Sequence, residues 1–144
     1  MIFKFLSHND IEYILSVQQG NFADGWNGAM LKSAFEEGRF YAIALEDESL
    51  PVGIITFSVA CDTADIEGVV VISDKRKKGY GLKLVERAEQ QMKELGVVKS
   101  FLEVREGNIP AQSLYKKAGY NKISLRKGYY SDGENAIVMI KELV

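Results

Sequence analysis

Apolar and polar positions along the chain divide it into short strands and amphipathic helices. Ile2 to Leu6 reads as a first strand, and Asn9 or Asp10 is suited to cap a helix over about Ile11 to Gln18. Asn21 to Asn27 has the Gly and Asp content of a loop and carries Trp26, the single tryptophan. A second helix of roughly Gly28 to Glu37 is expected to stop at Gly38. Strands are predicted at Arg39 to Leu45 and Val52 to Ala60, joined as a hairpin through Glu46 to Pro51. Asp65 to Ile72 is a further strand, whose run Val69-Val70-Val71-Ile72 implies apolar cover on both faces, as in the middle of a sheet.

The clearest helix follows. Leu82, Val85, Ala88, Met92 and Leu95 recur near 3.6 residues, with charged and amide side chains between them, and Gly96 ends the run. Ser100 to Arg105 is a strand. Asn108-Ile109-Pro110 then opens a helix bearing Ala111, Leu114, Tyr115 and Ala118, which stops at Gly119. Lys122 to Arg126 and Ala136 to Lys141 close the chain as two strands around the loop Lys127 to Asn135. This order predicts an α+β (mixed α/β) fold in one domain spanning residues 1–144.

Composition narrows the chemistry. With 47% hydrophobic and 26% charged residues and a net charge of −2, the chain has no bulk attraction for a polyanion, so direct nucleic-acid binding is not expected. One cysteine, Cys61, rules out an internal disulfide and fits a reducing cytoplasm. One histidine, His8, leaves too few soft ligands for zinc, and no metal is expected. No apolar run is long enough to span a bilayer, and Met1 to Leu6 lacks the form of a leader.

The most informative segment is Lys75-Arg76-Lys77-Lys78-Gly79-Tyr80-Gly81, set between a strand and a long helix expected to begin at Leu82. A helix start presents unpaired N–H groups and the positive end of its dipole, which suits an anion. Gly79 and Gly81 lack Cβ atoms, allowing close approach and positive φ, while the lysines and arginine add positive field. A solvated basic turn would share the charge but has no need of the glycine spacing. The segment fits neither the dinucleotide pattern, because position 84 is Leu, nor the P-loop.

Arg76-x-x-Gly79-x-Gly81 resembles the signature of the GCN5-related N-acetyltransferase (GNAT) superfamily. Asn108-x-x-Ala111-x-x-Leu114-Tyr115-x-x-x-Gly119-Tyr120 is similar to its later motif, at the expected separation. The resemblance implies a twisted, mostly antiparallel sheet of about seven strands with flanking helices, splayed between the fourth and fifth. It implies acetyl-CoA as cosubstrate. The main chain of Val69, Val70 and Val71 would meet the pantetheine arm, residues Arg76, Lys77, Lys78, Gly79, Tyr80, Gly81 and Leu82 would take the pyrophosphate, and Asn108 and Tyr115 would line the cofactor from the other wall.

Amine acetylation needs a base for the amine and an acid for the leaving thiolate. Tyr115 matches the family's acid position, and a phenol is suited to serve a thiolate. Glu103 alternates onto one face with Phe101 and Arg105 and is the leading base, although pairing with Arg105 would be a structural use. Asp65 and Glu67 are rivals, and a bulge near Gly68 would decide which faces the amine. A third option is no dedicated base, because an α-amine with a pKa near 8 already has an appreciable neutral fraction at cellular pH.

Phe101-Leu102-Glu103-Val104-Arg105-x-x-Asn108, with Arg126-Lys127-Gly128-Tyr129-Tyr130 and Asp132 to Met139, is similar to the bacterial ribosomal-protein-alanine (RimI-type) N-acetyltransferases. That narrower resemblance implies a protein N-terminus as acceptor, with Trp26, Glu67, Tyr129 and Tyr130 at its site. Gly25-Trp26-Asn27 departs from the family's usual Pro-Trp-Ser. A small amine such as a polyamine is the alternative acceptor, and a non-catalytic acyl-CoA module would need neither Glu103 nor Tyr115. A monomer or homodimer is expected.

Overall fold

The computed structural model describes residues 1–20 and 25–144. Asn21 to Asp24, in the loop expected after the first helix, lie outside the described residues. The strands are β1 (Ile2–Leu6), β2 (Phe40–Asp47), β3 (Leu50–Ala60), β4 (Thr63–Val71), β5 (Lys99–Arg105), β6 (Asn121–Arg126) and β7 (Ala136–Glu142). The helices are α1 (Ile11–Gln18), α2 (Gly28–Glu37), α3 (Tyr80–Glu94) and α4 (Ile109–Lys117). All seven strands form one sheet in the order β1-β2-β3-β4-β5-β7-β6. Among the described residues only β4 and β5 run parallel, and α3 is the crossover that this pairing requires.

Local sequence accounts for the boundaries. Asn27 caps α2 by accepting the Met30 N–H, and Gly38, in the left-handed region at φ 75°, ends it. The first helix is entered differently from the expectation. Ser7 and Asp10 form a reciprocal capping box on a 3-10 turn, so Asp10 serves the preceding turn and gives α1 no side-chain cap. The β2–β3 connection is also tighter than expected. Glu48 and Ser49 both adopt positive φ and make a two-residue hairpin, extending both strands into the anticipated loop.

Two apolar cores lie on opposite faces of the sheet. One joins Ile43, Ile55, Phe57 and Ile66 to Leu84, Val85, Ala88 and Met92 of α3. The other joins Ala42, Ala44, Ile54 and Val70 to Ile14, Val17 and Leu31 of α1 and α2. The valine run divides between them: Val70 is buried in the second core, while Val69 and Val71 are half-buried against the first.

That division exposes a bulge. Thr56 opposes Gly68, but the adjacent Phe57 opposes Ile66, leaving Glu67 as an extra residue on β4. Side chains in a strand alternate, so one inserted residue reverses parity. Ala64 and Ile66 therefore share a core with Val69 and Val71 rather than with Val70.

Candidate active site

The β4–β5 ladder runs only from Thr63↔Lys99 to Ile66↔Leu102. It ends at the bulge, while β5 remains paired with β7 as far as Arg105. The strands part from there and a groove of about 570 Å³ opens. β4 contributes Asp65, Glu67 and Val69 to it, β5 contributes Glu103 and Arg105, and Asn108, Ala111 and Tyr115 enter from the α4 side. Tyr129 and Tyr130 cover it from the β6–β7 loop.

Glu103 projects from a strand whose alternate residues Leu102 and Val104 are buried, which turns its carboxylate to the groove. The Tyr129 hydroxyl donates to its Oε2 at 2.8 Å, and Arg126 Nη2 lies 3.7 Å from Oε1. The expected structural alternative, a Glu103–Arg105 pair, is not what the side chain of Arg105 does. Its Nη1 meets Asp132 at 2.8 Å and Glu134 at 2.9 Å.

Tyr115 is buried, with its ring edge-on to Tyr120 at 6.0 Å. Burial, aided by the nearby Tyr130, raises its phenol above the ordinary pKa, so it holds its proton at any physiological pH. Asp65 is raised first by loss of solvent and then by the charge of Glu103. Glu67 is raised by loss of solvent and by the carboxylates of Asp65, Glu37 and Glu103, against a hydrogen bond with Ser58. The groove is thus an acidic site whose carboxylates repel one another.

The basic turn lies beside this groove rather than within its lining. Lys77 and Gly79 take positive φ of 62° and 82°, and Gly79 leads into α3 with no side-chain cap. The helix begins at Tyr80, two residues earlier than expected, so Tyr80, Gly81 and Leu82 carry first-turn N–H groups suited to an anion. Gly81 has a different role from Gly79. It is helical, and a Cβ there would meet Leu114 Cδ2 at 3.1 Å, so its bareness lets α3 approach α4. Arg76 is partly committed, its Nε donating to the Val71 carbonyl at 3.0 Å. Asn108 caps α4 by accepting the Ala111 N–H at 3.2 Å.

From Glu67 to Val71 the edge of β4 facing β5 has no strand partner in β5, and apart from the Val71 carbonyl, which Arg76 takes, this edge is open to an extended ligand. An uncapped helix start beside basic residues and an open strand edge leading to Tyr115 are the donor set that an acyl-CoA would need.

Trp26 and Glu67 border a second cavity of about 550 Å³ between α2 and the ends of β2 and β3. Glu67 and Ser58 line both cavities, so the bulge stands at their junction. Trp26 is held by a reciprocal pair of bonds between its main chain and the Gln18 amide, and packs edge-on against Phe40 at 5.1 Å. The places of Ser58, Glu37 and Gln112 in the site, and the pairing of Asp132 and Glu134 with Arg105, are not legible in the sequence, because each depends on chain crossings that periodicity does not encode. Among the described residues no cluster of metal-ligating side chains occurs, and no helix is long and apolar enough to cross a membrane.

A mixed sheet opened beside its one parallel pair, with a glycine turn at the start of the crossover helix, defines an acyl-CoA-dependent acyltransferase fold. Residues 8–120 match the acetyltransferase (GNAT) family, and the chain belongs to that family. It is an N-acetyltransferase. A [ribosomal protein bS18]-alanine N-acetyltransferase of Haemophilus influenzae is 32% identical over 134 residues, covering 90% of each chain. An N-alpha-acetyltransferase of Saccharolobus solfataricus is 28% identical, covering 94% of this chain and 89% of its own. The crystal structure of the Escherichia coli ribosomal-protein-S18-alanine N-acetyltransferase superposes with a TM-score of 0.87 at 26% identity, over 99% of this chain and 94% of that one.

Proposed function

We propose that the enzyme moves an acetyl group directly from acetyl-CoA to the N-terminal α-amine of a protein, a ribosomal protein being the leading acceptor. The observation that carries this reading is the meeting of Glu103, its partner Tyr129 and the buried Tyr115 in one groove beside an open strand edge. Kinship to enzymes named for α-amine acetylation supports the choice of acceptor.

Acetyl-CoA supplies the activated acetyl group as a thioester. The N–H groups of Tyr80, Gly81 and Leu82, with Lys77 and Lys78 around them, would hold its pyrophosphate, and the β4 edge at Val69, Val70 and Val71 its arm. Glu103 would accept a proton from the acceptor ammonium at its carboxylate. Tyr115 keeps its proton at the phenol oxygen and would donate a hydrogen bond toward the departing sulfur. Since its pKa is raised, its service is that hydrogen bond rather than ready loss of the proton. Tyr129 and Tyr130 would bear on the first acceptor residue, and Glu67 and Trp26 would meet the chain where the cavities join.

The mutual repulsion of Asp65, Glu67 and Glu103 favours a second reading, in which a polyamine supplies several cations. A thiol-release assay with N-terminal peptides, Nα-blocked lysine peptides and polyamines separates the two. The α-amine reading requires turnover of free N-terminal peptides, abolished or strongly reduced in Glu103→Gln and Tyr115→Phe. Turnover of polyamines alone would exclude it.

A further inference from the structure

We propose that Arg105 is a positioning residue for acetyl transfer, clamping the β6–β7 loop so that Tyr129 is delivered to Glu103. The inference rests on the reading above that Glu103 is the base.

Arg105 occupies the last register pair of β5, opposite Ala136, where the β6–β7 loop rejoins the sheet. Its guanidinium lies 4.1 Å from the centre of the Tyr130 ring, and its Nη1 reaches both Asp132 and Glu134. One cation thus holds three residues of the loop, including the immediate neighbour of Tyr129. The loop is braced internally as well: Tyr129 and Tyr130 pack edge-on at 5.1 Å, so fixing one ring fixes the other. Tyr129 itself reaches Glu103, two residues before Arg105 on the same face of β5.

The clamp extends to the acid. Glu134 Oε2 accepts the Gly107 N–H at 2.8 Å, tying the loop to the turn before α4. The Arg105 carbonyl accepts the Asn108 N–H at 3.0 Å and the Gln112 amide at 3.1 Å. Side chain and main chain of one residue therefore join the loop carrying Tyr129 to the helix carrying Tyr115. Lysine would supply the charge but not the planar group that stacks on Tyr130 while bonding two carboxylates.

The test is a double-mutant cycle of Arg105→Met with Tyr129→Phe, measured as kcat and acceptor KM, with acetyl-CoA affinity by calorimetry. Arg105→Met is expected to lower kcat/KM for the acceptor about as much as Tyr129→Phe does, roughly 5-fold, while acetyl-CoA binding stays within about 2-fold, and Arg105→Lys should not rescue it. In that background Tyr129→Phe should cost little more, because its hydroxyl has already lost its place. Multiplicative losses, or an unchanged kcat/KM in a folded Arg105→Met, would overturn the clamp. Should Arg105→Met not fold, Glu134→Gln in the same cycle gives the same two outcomes. Full activity in Glu103→Gln would instead defeat the base assignment, a result independent of the cycle.

Discussion

The Tyr129 hydroxyl donates a 2.8 Å hydrogen bond to Glu103 across 26 residues of chain, joining the loop above the groove to the strand that forms its floor. The bond raises the phenol pKa of Tyr129 and fixes one oxygen of the carboxylate, leaving the other near Arg126. Under the proposed assignment of Glu103 as base, an arriving amine would meet a carboxylate already oriented. Removing the hydroxyl in Tyr129→Phe should cost about 1 kcal/mol, roughly a 5-fold loss in kcat/KM for the acceptor. Steady-state kinetics with acetyl-CoA saturating checks this, with its KM expected to stay near the wild-type value.

Tyr13, Tyr115 and Tyr120 all have phenol pKa values raised chiefly by burial. In the unfolded chain each ionises near 10. A raised folded pKa means that the native state keeps protons which the unfolded state releases above pH ~10, so stability declines as pH rises beyond that point. Alkaline titration should give phenolate absorbance from these three rings together with loss of circular dichroism, rather than before it.

Glu67 is the converse case, a carboxylate raised by loss of solvent and by its acidic neighbours. Ionisation there opposes folding above its raised pKa, and the opposition vanishes below the ordinary carboxylate range, where both states are protonated. Glu67→Gln should therefore raise the melting temperature at pH 7 by an amount that disappears near pH 4, while weakening acceptor binding. Such an exchange of stability against function is expected where like charges are gathered for a ligand. Melting curves at the two pH values, beside acceptor KM, decide it.

Gly79 stands at φ 82° where α3 begins, with open space around the position of a Cβ. Gly79→Ala meets no clash but forces a left-handed alanine, at a cost of about 1 kcal/mol. Relief by turning the local main chain would also re-aim the first-turn N–H groups. The expected result is a modest fall in melting temperature with a several-fold weaker affinity for acetyl-CoA, read by calorimetry.

Much of this architecture was legible from pattern. The apolar period of α3, the cap Asn108 and the stop Gly38 are local signals, and each sets its element. The bulge was foreseen only near Gly68, because its location depends on how β4 registers against β3, which no single strand reveals. Arg105 alternates with Glu103 along β5, so pairing between them was the natural structural alternative. Carboxylates 27 and 29 residues away took the guanidinium instead. Gly79 and Gly81 look equivalent in a motif, yet one is needed for its φ and the other for its closeness to Leu114. The tight turn at Glu48 and Ser49 is not legible in the sequence because neither is a residue that such a turn prefers.

The central claim is that the groove between β4 and β5 acetylates an α-amine. A single peptide bearing both a free N-terminal alanine and an internal lysine tests it most directly, with the modified position located by fragmentation mass spectrometry after reaction with acetyl-CoA. The account predicts acetyl on the α-amine alone, with formation strongly slowed in Glu103→Gln and Tyr115→Phe. Acetyl on the lysine with the N-terminus left free would contradict it.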